Sequence, residues 1–456
     1  MVFSSLIFIF RFLPFFLIIY FLVPNKFKNL ILLIFSLLFY SFGEPKYFYL
    51  MIASILVDYF ISIHIEDNIH NRFKCKILLL LSIFFNIGIL FFFKYYNFFI
   101  DNLNLIFSTS FKYINLTLPL GISFYTFQTL SYTIDVYKGK FKAERNIIDF
   151  GAYVSFFPQL IAGPIVKYST INSNLKNRKL SFDNLEIGLE LFVIGLAKKV
   201  LIANNIGMLW SEIYNKDITS ISMPLAWLGI LAFSFQVYFD FSGYSTMAIG
   251  LGKMLSFDFP KNFNFPYISR SISEFWRRWH ITLSSWLKEY VYIPLGGNRV
   301  GKIRLFINIL ILWFLTGFWH GAEYTFIIWG LYFFILIYIE KVLIGKFLVK
   351  YRLLSHLYTI FFLLIGWVIF AIDDLSILYT YISRMFSFSI DKDWVYYLSN
   401  YFIIFIICLI CSTPIIEKIY NKINHKIKVI LIIFIFILST AYLVDSTYNP
   451  FLYFRF

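Results

Sequence analysis

The chain has 456 residues, of which 60% are hydrophobic and only 14% charged, and its mean hydropathy is +0.74. A soluble globular domain carries roughly 45–50% apolar and about 25% charged residues, because its surface must be polar, so this composition excludes a soluble fold and requires a bilayer. The net charge of +15 excludes nothing further: short cytoplasmic loops of membrane proteins collect Lys and Arg, and no soluble module is long enough to bind nucleic acid.

The chain opens on an apolar run, Val2–Val23, interrupted by Arg11. It lacks the short core and small-residue cleavage site of a signal peptide and is expected to be a first span. Further spans are expected over Leu30–Tyr47, Phe48–Ile65, Ile77–Ile100, Leu116–Ile134, Ile147–Val166, Leu185–Ile206 and Pro224–Leu251. After a polar interval come Leu305–Trp319, Tyr324–Ile339, Leu357–Ile372, Tyr397–Cys411 and Ile427–Val444. The expected architecture is all-α and polytopic, with about 11–13 spans in one membrane domain. The 59 Phe and 33 Tyr read as a codon-level bias that fills lipid-facing positions rather than as a functional signal.

The segment Ser271–Arg304 breaks this pattern. It holds Glu274, Arg277, Arg278, His280, Lys288 and Glu289, too many charges for a lipid-exposed span. At about 100° per residue, Trp276, Trp279, Leu283, Trp286 and Tyr290 share one face and Arg277, Ser284 and Lys288 another, with His280 at the border. An amphipathic, interfacial or re-entrant helix is expected, ended by Pro294 and Gly296-Gly297.

Four of the six histidines, His64, His70, His356 and His425, lie in or beside polar basic loops and read as solvated residues. His320 differs. The run Leu305–Ile339 would be about 50 Å long as one helix, against a hydrocarbon core of about 30 Å, so it must tilt or break. Gly321, directly after the histidine, is the natural break. An ionisable ring there faces a polar cavity or a partner, or hydrogen-bonds between helices. Asp240, Gln128, Gln159 and Asp135 also sit in apolar context, where hydrogen bonding between helices is the plainer reading. Cys75, Cys408 and Cys411 form no metal-ligand pattern, and neither HExxH nor GxSxG occurs.

Four stretches, PLGISFYTFQTLSYTIDVYKG (119–139), SFFPQLIAGPI (155–165), the long block from Phe239 to Arg299 containing FWRRWHITLSSWLKEYVYIPLGGNR, and FLTGFWHGAEYTFIIWG (314–330), together resemble the bacterial membrane-bound O-acyltransferases. The resemblance is nearest to the membrane subunits that O-acetylate alginate, peptidoglycan or exopolysaccharide. It implies a ring of spanning helices around a thinned centre with a funnel, in the cytoplasmic (inner) membrane. It also implies His320 as the catalytic histidine and His280 as the second motif histidine. Trp319 would shape the tunnel wall. Trp276, Arg277, Arg278, Asn298 and Arg299, with Asp240, Gln128 and Gln159, are the candidates for substrate or donor binding. The implied donor is acetyl-CoA, with no metal. The implied partners are membrane lipids, a polysaccharide acceptor and an extracytoplasmic acetyltransferase that completes the transfer. Thr246 departs from the pattern, since relatives often carry an acidic residue after GYS. Two alternatives stand beside this reading. One is a D-alanyl transfer protein of teichoic acid modification. The other is a flippase without chemistry, in which no single histidine is essential.

Overall fold

Every regular element among the described residues is a helix, in a computed structural model that describes residues 2–445, 448–450 and 452. In chain order these are α1 (Leu13–Leu22), α2 (Lys28–Gly43), α3 (Phe48–Asp67), α4 (Arg72–Phe107), α5 (Ile122–Tyr137), α6 (Ile147–Ser155), α7 (Phe157–Leu160), α8 (Tyr168–Asn177), α9 (Phe182–Ala197), α10 (Asn204–Tyr214) and α11 (Met223–Met254). They continue as α12 (Ile272–Arg278), α13 (Ile281–Leu287), α14 (Lys302–His320), α15 (Tyr324–Ile339), α16 (Gly345–Lys350), α17 (Arg352–Ala371), α18 (Leu375–Met385), α19 (Asp393–Cys411), α20 (Ile415–Lys422) and α21 (His425–Asp445).

Nine helices among the described residues are long and apolar enough to cross a membrane. Each carries one of the expected spans, and the chain is a multi-pass membrane protein. The other four expected spans are shorter or broken. Val2–Val23 becomes a π-helical turn at Phe8–Phe12 followed by α1, and Ile147–Val166 splits into α6 and α7 where Phe156 leaves helical geometry ahead of Pro158. Leu185–Ile206 runs from α9 through a π-helical turn at Lys198–Ala203 into α10. Leu116–Ile134 starts late, at Ile122, behind a left-handed Gly121 with φ 71°. A Cβ at Gly121 would lie 2.6 Å from the carbonyl oxygen of Leu160, so this close approach needs glycine. Nearly every side chain of α5 is buried. Apolarity alone marks such a segment as a span, because hydropathy does not separate lipid-facing from protein-packed surface.

The chain forms two compact units, residues 1–192 with 247–260, and residues 193–246 with 261–456. The first is centred on Phe157, whose ring meets Phe8, Phe12, Phe16 and Phe39 at centroid distances of 5.2–6.3 Å. Its buried carboxylate, Asp58, accepts hydrogen bonds from Ser82 Oγ at 2.5 Å, Asn86 Nδ2 at 2.8 Å and Thr133 Oγ1 at 3.3 Å. A carboxylate among apolar helices persists only when its lone pairs are satisfied in this way. Gln159 donates from Nε2 to the carbonyl oxygen of Tyr153 (2.6 Å), and Asp135 pairs with Lys140 at 2.9 Å. Both amide ends of Gln128 are buried without a hydrogen bond among the described residues.

The second unit is built on the antiparallel hairpin of α14 and α15. Phe306 meets Tyr338, and Trp313 meets Trp329 and Phe333. The two backbones touch at Gly317 and Gly330, where an added Cβ would lie 2.3 Å from the carbonyl oxygen of Phe326 and 2.4 Å from that of Trp313. Small residues at such a crossing let membrane helices approach closely. Deeper in the unit, Lys199 and Asp240, each about 1% exposed, form an ion pair at 2.8 Å.

Candidate functional site

The amphipathic helix expected from Ser271 up to Pro294 is interrupted. α12 ends at Arg278, Trp279 is extended, His280 takes a left-handed conformation (φ 42°, ψ 56°), and α13 begins at Ile281. Beyond α13 the chain makes a π-helical turn, Lys288–Tyr292, before the glycine pair. The amphipathic wheel therefore applies only within each piece. Trp279 and Trp286 are buried and Arg277 and Lys288 exposed, but His280 sits at a break rather than on a face border. A left-handed conformation is costly for a residue with a Cβ and needs external support.

That support comes from the extended segment before α12. The Ile281 N–H donates to the carbonyl oxygen of Asn262 (2.9 Å), and the Asn264 N–H donates to that of Arg278 (3.0 Å). The side chain of Asn262 reaches the same break: its Oδ1 lies 3.0 Å from His280 Nδ1, 3.3 Å from the Thr282 N–H and 2.9 Å from the Thr282 hydroxyl. At the other end, the Glu340 carboxylate accepts the N–H groups of Ile272 (2.6 Å) and Ser273 (2.8 Å) and caps α12.

His320 is the last residue of α14, with Gly321 leaving the helix directly after it. The long apolar run thus breaks where expected, into two helices that fold back on each other. His280 and His320 are 2% and 4% exposed, so both rings are sealed from bulk solvent. They are joined through one indole: the Trp319 ring lies 6.4 Å from the His280 ring and 4.9 Å from that of His320. Phe241 completes the surroundings of His280 at 4.7 Å, and Trp329 and Phe370 those of His320 at 5.0 and 5.3 Å. Trp276 meets Trp313, Trp329 and Phe333, which links the helix before the break to the wall behind His320.

Other expected site residues stand further out or are committed elsewhere. Arg278 is engaged by Glu274 (2.9 Å) and the carbonyl oxygen of Asn264 (3.1 Å), whereas Arg277 and Arg299 are exposed and form no ion pair among the described residues. Asn298 is also exposed, in a loop held to α14 by a hydrogen bond from Asn308 Nδ2 to the Gly297 carbonyl oxygen (3.0 Å). Asp240 precedes Phe241 on α11, but its carboxylate is occupied by Lys199 and by the Leu452 N–H at 2.9 Å. Thr246 turns its hydroxyl onto the Ser242 carbonyl oxygen of its own helix (2.6 Å). Gln128 and Gln159 belong to the first unit. Asn262, Trp329, Phe370 and Glu340 were not singled out from the sequence. Asn262 carries no local signal beyond its polarity in KNFNF, and the others read as span residues.

His280 lies outside the nine long helices, and burial pushes its pKa down to about 3. An unfolded histidine titrates near 6.5, so as pH falls the unfolded chain takes up the proton first. The contribution of His280 to stability is therefore constant above about pH 6.5 and declines below it, by about 2 kcal/mol at pH 5. Unfolding temperatures of the parent and His280→Gln, compared between about pH 7 and 5, should diverge, with the parent falling more steeply. Equal slopes would mean that water reaches the ring.

A multi-pass helical protein that buries two histidines in an aromatic enclosure has the makings of a membrane-embedded catalyst. Residues 144–382 match the membrane-bound O-acyltransferase family, and the chain belongs to that family; it is an acyltransferase. It is 41% identical over 402 residues to the probable alginate O-acetylase AlgI of Azotobacter vinelandii, covering 86% of this chain and 79% of that protein. It is 40% identical over 412 residues to the peptidoglycan O-acetyltransferase of Helicobacter pylori, covering 82% and 78%. To the teichoic acid D-alanyltransferase of Streptococcus thermophilus it is 29% identical over 230 residues, covering 47% and 54%.

Proposed function

We propose that this protein is an O-acetyltransferase that takes an acetyl group from acetyl-CoA on the cytoplasmic side of the inner membrane and passes it outward for O-acetylation of a polysaccharide. The observation that carries this reading is the similarity of about 41% to an alginate O-acetylase over most of the chain, together with a buried histidine pair. Similarity to D-alanyltransferases covers only about half of the chain, which favours acetyl over D-alanyl.

His320 acts as the general base. It takes the proton of the attacking hydroxyl as the new C–O bond forms, and the C–S bond of the thioester breaks to release the thiolate. The proton then passes to that thiolate. Trp319, Trp329 and Phe370 pack around the imidazole, exclude water from it and protect the thioester from hydrolysis. Arg277 and Arg299, with Asn298, meet the donor's phosphates, while Arg278 keeps the α12 end in place through Glu274. Trp276 supports the wall behind His320. In this reading Asp240 and Gln159 hold the scaffold rather than the donor, and Gln128 packs within the first unit. The whole chain serves as one acyltransferase domain and delivers acetyl to an extracytoplasmic partner protein, which modifies the polymer.

The test is thioester loss from radiolabelled acetyl-CoA by the purified protein in nanodiscs, with and without candidate extracytoplasmic partners, against D-alanyl thioester on a carrier protein. Acetyl-CoA turnover supports the reading. Turnover of the D-alanyl thioester alone would overturn it, and movement of lipid-linked glycan without any acyl turnover would point to a flippase.

A further inference from the structure

The Asn262 side chain meets three groups at one atom. Its Oδ1 receives the Thr282 backbone N–H (3.3 Å), which can only donate. That contact fixes the amide orientation, so the oxygen, and not the NH2 group, faces the break. The Thr282 hydroxyl at 2.9 Å and His280 Nδ1 at 3.0 Å share this oxygen. A carbonyl oxygen has no proton to give, so a hydrogen bond from His280 requires a proton on Nδ1. A neutral imidazole carries only one, which leaves Nε2 with the lone pair.

We propose that Asn262 is a positioning residue that locks His280 in the Nδ1–H tautomer and presents Nε2 as a hydrogen-bond acceptor within the active site. This rests on the acetyltransferase reading for what Nε2 does, but not for which nitrogen holds the proton. Two features strengthen it. Asn262 is 1% exposed, so water does not compete for its oxygen. Its backbone carbonyl also holds Ile281, so a single residue fixes both the left-handed turn at His280 and the state of the ring. The depressed basicity of His280 keeps the ring neutral, which makes the choice of tautomer matter. With Nε2 as the acceptor, His280 takes a hydrogen bond from a donor or acceptor hydroxyl and orients it. The opposite tautomer would instead repel that hydroxyl proton.

The experiment is solid-state 15N NMR of histidine-labelled protein in lipid bilayers, with His280 assigned by its loss in His280→Gln. The parent is expected to show His280 protonated at Nδ1 and bare at Nε2. Asn262→Asp keeps an acceptor in place and is expected to retain that tautomer, whereas Asn262→Leu is expected to release it to a mixture or to Nε2–H. In the acetyl-CoA assay, Asn262→Leu is expected to lower kcat by about tenfold or more with KM changed by less than about twofold. A parent ring protonated at Nε2 would overturn the proposal, as would an unaltered tautomer in a folded Asn262→Leu. Should Asn262→Leu fail to fold, the parent and Asn262→Asp spectra decide alone. An Nδ1–H tautomer in a protein that does not consume acetyl-CoA would sink the acetyltransferase reading and leave this assignment standing.

Discussion

Replacing His320 by alanine is expected to lower acetyl-CoA turnover by about 10³-fold or more, because the variant loses the one base that the proposed reaction uses. The ring packs against Trp319, Trp329 and Phe370 in a buried enclosure, so alanine also leaves a cavity and some loss of stability follows. His320→Gln separates the two effects. Glutamine fills most of the space and can hydrogen-bond, but it cannot take a proton at neutral pH. Both variants should therefore be inactive while His320→Gln unfolds close to the parent temperature. Donor affinity should change little in either, since a general base acts in the transition state rather than in the ground state. If His320→Gln retains more than about a tenth of parent turnover, His320 is not the base and His280 takes its place in the mechanism.

The second large effect is on stability and falls on Lys199. Its ammonium is buried against Asp240 and also donates to the Pro450 carbonyl oxygen, while the Leu452 N–H closes the other side of the carboxylate. Lys199→Met removes one charge and strands the other away from water, at a cost of about 3–5 kcal/mol. A double variant, Lys199→Met with Asp240→Leu, removes both charges and should recover most of that loss, since an apolar pair of similar volume often equals a buried ion pair. Thermal unfolding of the four proteins in one detergent checks this. The expected order places the double variant above both single variants. A single variant within about 1 kcal/mol of the parent would mean that water already reaches the pair. The double variant also loses the two contacts that hold Pro450 and Leu452, so hydrogen exchange at the Leu452 amide should speed up even where stability is restored.

Much of this was legible in the sequence because it rests on short-range rules. Nine spans follow from apolar length, and the end of α14 at His320 follows from Gly321 and from a run too long for one crossing. The singularity of His280 and His320 among six histidines was visible from their neighbours, and the motif stretches pointed to the family. Tertiary structure decided what depends on partners distant in sequence. The helix expected from Ser271 up to Pro294 follows the local pattern of apolar and charged residues, yet it breaks at His280 because Asn262, eighteen residues earlier, supplies the hydrogen bonds that stabilise a left-handed turn there. Asp240 looked available to a donor, since nothing near it in sequence announces that Lys199 neutralises it. α5 and the short helices α6 and α7 read as spans, because apolar residues buried in protein and apolar residues facing lipid obey the same hydropathy. By itself the sequence determined that the chain must live in a membrane and which histidines stand apart, since composition and local spacing fix both. Only the packing of distant segments decided where the helices stop and that Asn262 meets Nδ1 of His280, because a buried polar group is defined by the partners that satisfy it.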